Sequence, residues 1–128
     1  MDKITTTPSV RTNDIQQLEF LERIIAKNPS LFIDVDIVIR DKFLSRWLGE
    51  NLHVFQVFVD LCRELIAAGI NKASSSLVWE RMRWEHMIED SDPDFKLNNN
   101  YKGCVARLAM AAIPELRGFF DTRSAPTR

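Results

Sequence analysis

Hydrophobic residues recur at three- and four-residue spacing along most of the chain, a pattern that predicts amphipathic helices. The pattern is clearest over residues 51–68, where Gly69 supplies the stop. The apolar face of this helix consists of Phe55, Phe58, Val59, Cys62, Leu65 and Ile66.

An earlier apolar stripe predicts a helix over residues 14–27. Asn13 or Asp14 can cap its start, and Asn28-Pro29 ends it because the residue before a proline disfavours the helical conformation. The stripe consists of Ile15, Leu18, Leu21, Ile24 and Ile25.

Residues 31–47 support two interpretations. Isoleucines and valines alternate with aspartates, which is typical of a strand, while the aromatic residues also fit helical turns. We favour a short extended piece over 32–35 followed by a helix over 36–48, and the choice between strand and helix for 31–48 stays open. Gly49 would close that helix in a left-handed conformation, which glycine adopts without a steric clash.

The second half of the chain predicts a helix, a turn and another helix. Three serines at 74–76 offer N-cap hydroxyls to a helix that reaches about residue 88. Residues 90–94 have turn composition, and 95–100 predict a small hairpin or loop. A further helix follows over 101–112 and ends at Ile113-Pro114, before a final turn that carries the apolar residues Leu116, Phe119 and Phe120.

These elements predict a mainly α fold of four to five helices around one core, similar to a winged helix through the short hairpin near 95–100. At 128 residues the chain suits a single domain, which we place at 13–123. Residues 1–12 and 124–128 are expected to be flexible tails, since they show no apolar period.

Charge and cysteine content narrow the class of protein. Lys and Arg number 17 against 18 Asp and Glu, so no global field attracts nucleic acid or an anionic membrane. No window has the roughly 20 apolar residues of a membrane span, and the N-terminal residues lack a signal-peptide core. Cys62 and Cys104 have no metal-ligand spacing, which favours buried reduced thiols in a cytoplasmic protein, with a disulfide between them as the alternative.

The sequence offers little for catalysis. The histidines are His53 and His86, and the chain has neither a nucleophile-and-base pattern nor a phosphate-binding glycine loop. We therefore expect no enzyme and no cofactor. The nearest approach to a metal site is the group Glu85, His86, Glu89 and Asp90. Glu85 and Glu89 lie one helical turn apart and could bind a divalent cation, as a metal-dependent hydrolase would require. Carboxylates at that spacing are more typical of an ordinary charged helix face, so we expect no metal site.

The strongest constellation indicates nucleic-acid binding. A helix-turn-helix places its second helix in the major groove, and a wing contacts the DNA backbone or minor groove. Serines at a helix start bind phosphate, arginine bridges guanine acceptors and asparagine pairs with adenine. The candidate residues are Ser74, Ser75, Arg81 and Arg83 on the helix and Lys96, Asn98, Asn99, Asn100 and Lys102 in the loop.

The same residues also have a structural interpretation. Glu80 and Glu85 can pair with the neighbouring arginines and would repel phosphate, and the asparagines can simply shape a turn. Trp79 and Trp84 are five residues apart and cannot share one helix face, so at least one of them belongs to the core.

Several segments in the second half of the chain resemble a group of small uncharacterised proteins encoded by bacteriophages and prophages. They are Lys96-Leu-Asn-Asn-Asn-Tyr101, Ala106-Arg-Leu108, Pro114 and Gly118-Phe-Phe-Asp-Thr-Arg123. The resemblance extends from about Gly69 through the C-terminal half and includes Arg83-Trp84-Glu85. It implies a bacterial or phage origin and a cytoplasmic setting, and no catalytic residue is carried over.

Two main hypotheses follow. The first is a DNA-binding accessory or regulatory protein whose partner is double-stranded DNA, read by residues 74–86 and touched by a wing at 96–102. Near-neutral charge counts against it, because affinity for duplex DNA depends largely on neutralising phosphates. Its cations would have to converge on one face; they are Arg81, Arg83, Lys96, Lys102 and Arg107.

The second hypothesis is a non-enzymatic protein-interaction module whose partner is another protein or a second copy of the chain. Large aromatic side chains anchor such interfaces. The candidate anchors are Trp47, Trp79, Trp84, Tyr101, Phe119 and Phe120.

Overall fold

The computed structural model describes residues 6–89 and 99–121, with side chains over 14–85 and 99–121. These residues form helices and turns and contain no strand, which confirms the mainly α class. The helices are α1 (Thr6–Lys27), α2 (Ile37–Lys42), a π-helical turn (Phe43–Trp47), α3 (Leu48–Glu50), α4 (Leu52–Ala67), α5 (Ser75–Glu89) and α6 (Lys102–Ala112). Turns of 3-10 helix occur at Asn99–Tyr101 and Pro114–Leu116.

Helix α1 ends where the sequence predicted, at Lys27, and the Nδ2 of Asn28 donates to a carbonyl of its last turn at 2.7 Å. It starts at Thr6, which is earlier than the predicted start at about residue 14. Pro8 permits this, since the first helical turn needs no internal N–H donor. The predicted apolar stripe is buried only in part, because Leu21 is buried whereas Ile15 is 59% exposed.

The extended piece predicted over 32–35 is wrong. The N–H groups of Ile33 and Val35 each bond to the carbonyl three residues earlier, at 3.1 and 2.9 Å, so the chain turns here. Asp36 then caps α2, accepting from the N–H groups two and three residues later at 2.9 and 3.3 Å. A local side-chain cap thus selects the helix over the strand that the alternation favoured.

The helix predicted over 36–48 contains a π-helical turn, in which the N–H of Leu48 bonds to the carbonyl of Phe43. The wider turn places Leu48 on the same side as Phe43 and Trp47, and all three are buried. The predicted role of Gly49 is therefore wrong. Gly49 lies inside the helical segment without a positive φ, and the segment ends at Asn51, whose Nδ2 donates to the carbonyl of Trp47 at 3.0 Å.

Helix α4 and its stop at Gly69 agree with the prediction. Gly69 has φ +91°, and its N–H bonds to the carbonyl of Ile66 at 2.9 Å. The next N–H, from Ile70, bonds to the carbonyl of Leu65 at 2.9 Å, which completes a Schellman motif. The buried residues of α4 are Leu52, Val54, Phe55, Phe58, Val59 and Cys62.

Helix α6 is the centre of the packing, since α1, α4 and α5 all contact it. Small residues allow this close approach; those buried are Cys104, Ala106, Ala109 and Ala112. The helix gives way to extended backbone at Ile113, before Pro114, as the sequence predicted.

Both thiols lie in the core. Cys62 and Cys104 are free and fully buried, as expected from the sequence. Burial raises the pKa of Cys62 from 9.0 to about 12. Burial likewise raises the pKa of Cys104 to about 11, with the nearby Arg107 charge acting in the opposite direction. The thiols are therefore neutral at physiological pH.

Aromatic rings connect the helices through the core. Trp47 contacts Trp79, Trp79 contacts Phe58 and Phe58 contacts Phe120, with ring centroids 6.4, 6.1 and 5.4 Å apart. Most of the aromatic residues considered as exposed anchors therefore belong to the core, which corrects that prediction. The buried ones are Trp47, Trp79, Phe119 and Phe120, and Tyr101 is half-buried.

The predicted wing lies largely outside the described residues, which omit 90–98. Where the description resumes, Asn99 and Asn100 belong to a 3-10 turn, so the end of the predicted hairpin is not extended. Similarity to a winged helix has no support from the described part of the chain. No helix found there is long and apolar enough to cross a membrane.

Candidate interaction surface

Helix α5 has one buried strip. Val78, Trp79 and Met82 are at most 5% exposed and face the core, where α5 contacts α4 and α6. A helix advances about 100° per residue, so these three side chains lie within about 100° of one another. The buried strip is therefore narrow and covers less than a third of the helix circumference. Among the described side chains of α5, those of Ser76, Leu77, Glu80, Arg81 and Trp84 are exposed to solvent.

The outward face of α5 consists of Leu77, Arg81 and Trp84, which a helical wheel places within about 60° of one another. Leu77 is 58% exposed and Trp84 is 64% exposed. The prediction from their spacing that Trp79 and Trp84 cannot share a face is confirmed, since Trp79 is completely buried. A large indole ring and the leucine side chain thus lie in water on the same face of α5.

Ion pairs within α5 border this face. The Nε of Arg81 lies 2.6 Å from the Oε2 of Glu85, and the Nη1 of Arg83 lies 2.7 Å from the Oε2 of Glu80. These pairs match the structural interpretation of both arginines. Each guanidinium already has a carboxylate beside it, so the face has little net charge with which to attract phosphate.

The predicted serines lie at the start of α5 and have different roles. The Oγ of Ser74 accepts from the N–H of Leu77 at 3.0 Å, which makes Ser74 the N-cap. Ser75 is half-buried. The Oγ of Ser76 lies 2.7 Å from the Nζ of Lys102, which donates to it from the start of α6.

Arg83 provides a second link to the segment before α6, because its Nη2 donates to the Oδ1 of Asn99 at 3.2 Å. Ser76, Arg83, Asn99 and Lys102 therefore come together along one edge of α5. Asn100 is exposed nearby in the chain. Lys96 and Asn98 lie outside the described residues.

The candidate cations do not converge on one face. Arg81 and Arg83 are about 160° apart around α5, and Lys102 accompanies only Arg83. Arg107 belongs to another region, where its Nη1 donates to the carbonyl of Gly103 at 3.1 Å. The single basic surface that DNA binding required is thus absent among the four cations whose side chains are described.

A second exposed apolar region lies beside α6. It is a cleft of about 480 Å³, here called the α6 cleft, lined by Ser30, Leu31, Ile33, Asp34, Arg107, Met110, Ala111, Gly118 and Phe120. Ile33 is 73% exposed at this cleft. The sequence did not predict a functional role for Leu77 or Ile33. The seven-residue spacing between Leu77 and Trp84 could have identified Leu77 as part of the same helix face. The sequence contains no comparable signal for Ile33.

The possible metal ligands do not form a site within the described residues. No group of three or more His, Cys, Asp or Glu side chains gathers there, and Glu85 pairs with Arg81. Asp90 and the side chains of His86 and Glu89 lie outside that part of the chain.

No protein-family model, curated protein or solved structure matches this chain. The arrangement of its own side chains must therefore support any functional proposal. The most unusual feature is the exposed tryptophan on α5. Trp47 and Trp79 are buried in the core, whereas Trp84 lies at the surface, where it can contact another molecule.

Proposed function

We propose that the chain is a non-enzymatic protein-interaction module that inserts the outward face of α5 into an apolar groove of a protein partner. The exposure of Trp84, 64%, carries this proposal. Tryptophan buries a large apolar area on binding and is enriched among the residues that dominate interface energies. The fold itself gains little from Trp84, so its contribution lies at the surface.

The neighbours of Trp84 suit this role. Leu77 and Arg81 precede it at spacings of seven and three residues, as in helices that bind in a groove through one face. Arg81 already pairs with Glu85 at 2.6 Å, so the two charges partly compensate each other at the edge of a contact. An apolar centre with a polar border is the usual composition of an interface.

The test compares Trp84→Ala with Val57→Ala, a control at a 41% exposed apolar position on α4. Each tagged protein is used to capture proteins from cells that express the chain, and any protein retained by the wild type is then purified and titrated. We expect a partner that binds the wild type and Val57→Ala equally and Trp84→Ala at least tenfold more weakly. Equal affinity for all three would contradict the proposal.

Tryptophan fluorescence provides an independent measurement of the same contact. Trp47 and Trp79 are buried, so acrylamide quenching of the free protein reports mainly on Trp84. Adding the purified partner should protect the emission from quenching. A complex in which quenching is unchanged would show that Trp84 stays in water and would exclude the α5 face as the contact.

A second candidate is binding of double-stranded DNA by a phage- or prophage-type accessory protein in the cytoplasm. The observation that supports DNA binding is the position of Lys102, whose Nζ lies 2.7 Å from the Oγ of Ser76 at the start of α5. A lysine beside a serine-rich helix N-terminus suits a phosphate group. The carboxylates beside Arg81 and Arg83 make this candidate the weaker one.

A mobility-shift assay on random duplex DNA at about 50 mM salt separates the two candidates, because phosphate contacts weaken steeply as salt rises. Binding that Lys102→Ala abolishes and Trp84→Ala preserves would favour DNA over protein. We expect no shift with any of these proteins.

A further inference from the structure

Met110 of α6 makes an uncommon hydrogen bond to the last part of the chain that the structure describes. Its Sδ accepts from the N–H of Phe120, with the sulfur and nitrogen atoms 3.3 Å apart. We infer that Met110 is a site of reversible oxidation by peroxides, and that its conversion to the sulfoxide releases Phe120 from α6. This inference does not depend on the proposed function, because neither residue belongs to α5.

Exposure distinguishes Met110 from the other three sulfur-containing side chains that the structure describes. Met110 is half-buried and lines the α6 cleft, whereas Met82 is 5% exposed and faces the core. Cys62 and Cys104 have no exposed surface, and their raised pKa values keep them as thiols, which are much less reactive than thiolates. A small oxidant from solvent therefore reaches Met110 first.

The bond to Met110 is the contact of Phe120 that oxidation would change. Residues 118–121 are held on the opposite side by the turn before α5, through bonds from the Nζ of Lys72 to the carbonyl of Gly118 at 3.1 Å and from the N–H of Ala73 to the carbonyl of Phe119 at 3.2 Å. Neither of these bonds involves sulfur. Phe120 is 4% exposed, so its N–H has little access to water if its acceptor is lost.

Oxidation transfers one oxygen atom to the sulfur of Met110. A lone pair of the Sδ attacks one oxygen of hydrogen peroxide, the O–O bond breaks and an S–O bond forms. The hydroxide that leaves takes up the remaining proton and becomes water. The sulfur loses two electrons, which the peroxide gains, and methionine sulfoxide reductases reverse the change.

The added oxygen does not fit the present geometry. An N–H···O bond spans about 2.9 Å, so an oxygen attached to the Sδ has no room on the line between a sulfur and a nitrogen that are 3.3 Å apart. The oxygen either displaces Phe120 or turns away and leaves the N–H without its acceptor. Both outcomes loosen Phe120 from α6 and preserve the bonds to the turn before α5.

The first test measures which methionine is oxidised. The wild-type protein is treated with dilute hydrogen peroxide, and mass spectrometry of its peptides follows the sulfoxide at each position. We expect Met110 to be oxidised about tenfold faster than Met82, because susceptibility follows exposure. Equal rates at the two positions would overturn the inference.

The second test measures the release of Phe120 by amide hydrogen exchange, observed by nuclear magnetic resonance. In the oxidised wild type the N–H of Phe120 should exchange about tenfold faster than before treatment, and the reductases should restore the slow rate. The N–H of Ile70, which bonds to the carbonyl of Leu65 at 2.9 Å, serves as an internal control and should change less than twofold. Unchanged exchange at Phe120 after complete oxidation of Met110 would overturn the inference.

Met110→Leu is the matched control variant. It nearly conserves the volume of the side chain but removes the sulfur, so Phe120 should exchange rapidly even without peroxide, and treatment should change nothing further. Met1 and Met87 are present in both proteins, so an effect of their oxidation would appear in the variant as well. Peroxide-dependent exchange at Phe120 in Met110→Leu would therefore contradict the assignment, and the wild-type measurements decide it if the variant folds poorly.

Discussion

Helices α5 and α6 pack against each other, yet they distribute their apolar residues in opposite ways. Helix α6 carries small residues around most of its circumference, among them the buried Ala106 and Ala109, so neighbouring helices approach it closely. Helix α5 carries large residues on two sides, with Trp79 in the core and Trp84 in water. Close packing therefore explains the residue composition of α6. It explains the composition of only the buried side of α5, and not the large apolar residues on its exposed side.

The same contrast separates two kinds of substitution. Changes in α6 and on the inner side of α5 should affect the free energy of unfolding, because they alter packing at near-crystalline density. Changes on the outward face of α5 should affect association and leave the free energy of unfolding almost unaltered.

The largest effect is expected at Trp79. Truncation by Trp79→Ala should lower the free energy of unfolding by about 3–5 kcal/mol, since it removes a completely buried indole ring. The matched change Trp84→Ala should alter it by no more than about 0.5 kcal/mol. Urea unfolding followed by circular dichroism measures both, and comparable losses for the two variants would contradict the division of α5 into two sides.

Overpacking of α6 should have the next largest effect. Ala106 is fully buried, so Ala106→Leu has no space for its added carbons and should destabilise the fold by about 1–3 kcal/mol. The control Ala67→Leu changes an exposed position at the end of α4. Thermal unfolding of the two variants should show a lower midpoint for Ala106→Leu alone; equal midpoints would mean that α6 is not closely packed.

Alkaline pH should weaken the core through its thiols. The folded pKa of Cys62, about 12, exceeds 9.0, so the folded state holds its proton more tightly. The stabilising contribution is complete below pH 9 and is lost as pH rises toward 12; Cys104 behaves alike up to about 11.

By pH 10 this loss is on the order of 1 kcal/mol per thiol. Urea midpoints at pH 8 and pH 10 measure it. The variant with Cys62→Ala and Cys104→Ala should lose less stability over that interval than the wild type. An identical loss in both proteins would exclude the thiols as its cause.

The smallest expected changes in the free energy of unfolding are those caused by substituting two serines at the start of α5. Ser74→Ala removes the N-cap bond to Leu77 and should cost about 1 kcal/mol. Ser76→Ala removes only an exposed contact with Lys102 and should cost about 0.5 kcal/mol or less. Chemical denaturation of both variants checks the order, and the reverse order would show that Lys102 holds α5 more firmly than its cap does.

Local signals predicted α4 and α6 almost completely. The apolar period predicts α4 itself, and Gly69 predicts where it ends. Neither signal depends on a residue that is distant in the sequence. The break of α6 before Pro114 is equally local, because proline restricts the residue before it.

The region before α4 could not be predicted in the same way. Asp36 capped a helix where alternating residues favoured a strand, and a π-helical turn moved the end of the helix beyond Gly49. That turn buries Leu48 with Phe43, so it depends on packing that helical spacing alone does not reveal.

The candidate site was predicted only in part. The spacing of Trp79 and Trp84 required that they lie on different sides of α5, and the pairing of Glu80 and Glu85 with the two arginines was one of the two interpretations that the sequence supported. Burial of four of the six proposed aromatic anchors was not evident from the sequence, because aromatic residues suit a core and an interface alike.

The sequence by itself determined the helical class, the stops of α1, α4 and α6 and the opposition of two tryptophans, because these depend on backbone preferences and on the period of a helix. Tertiary structure alone decided which tryptophan faces water, since α4 and α6 cover one side of α5. It also brought residues 30–34 beside α6.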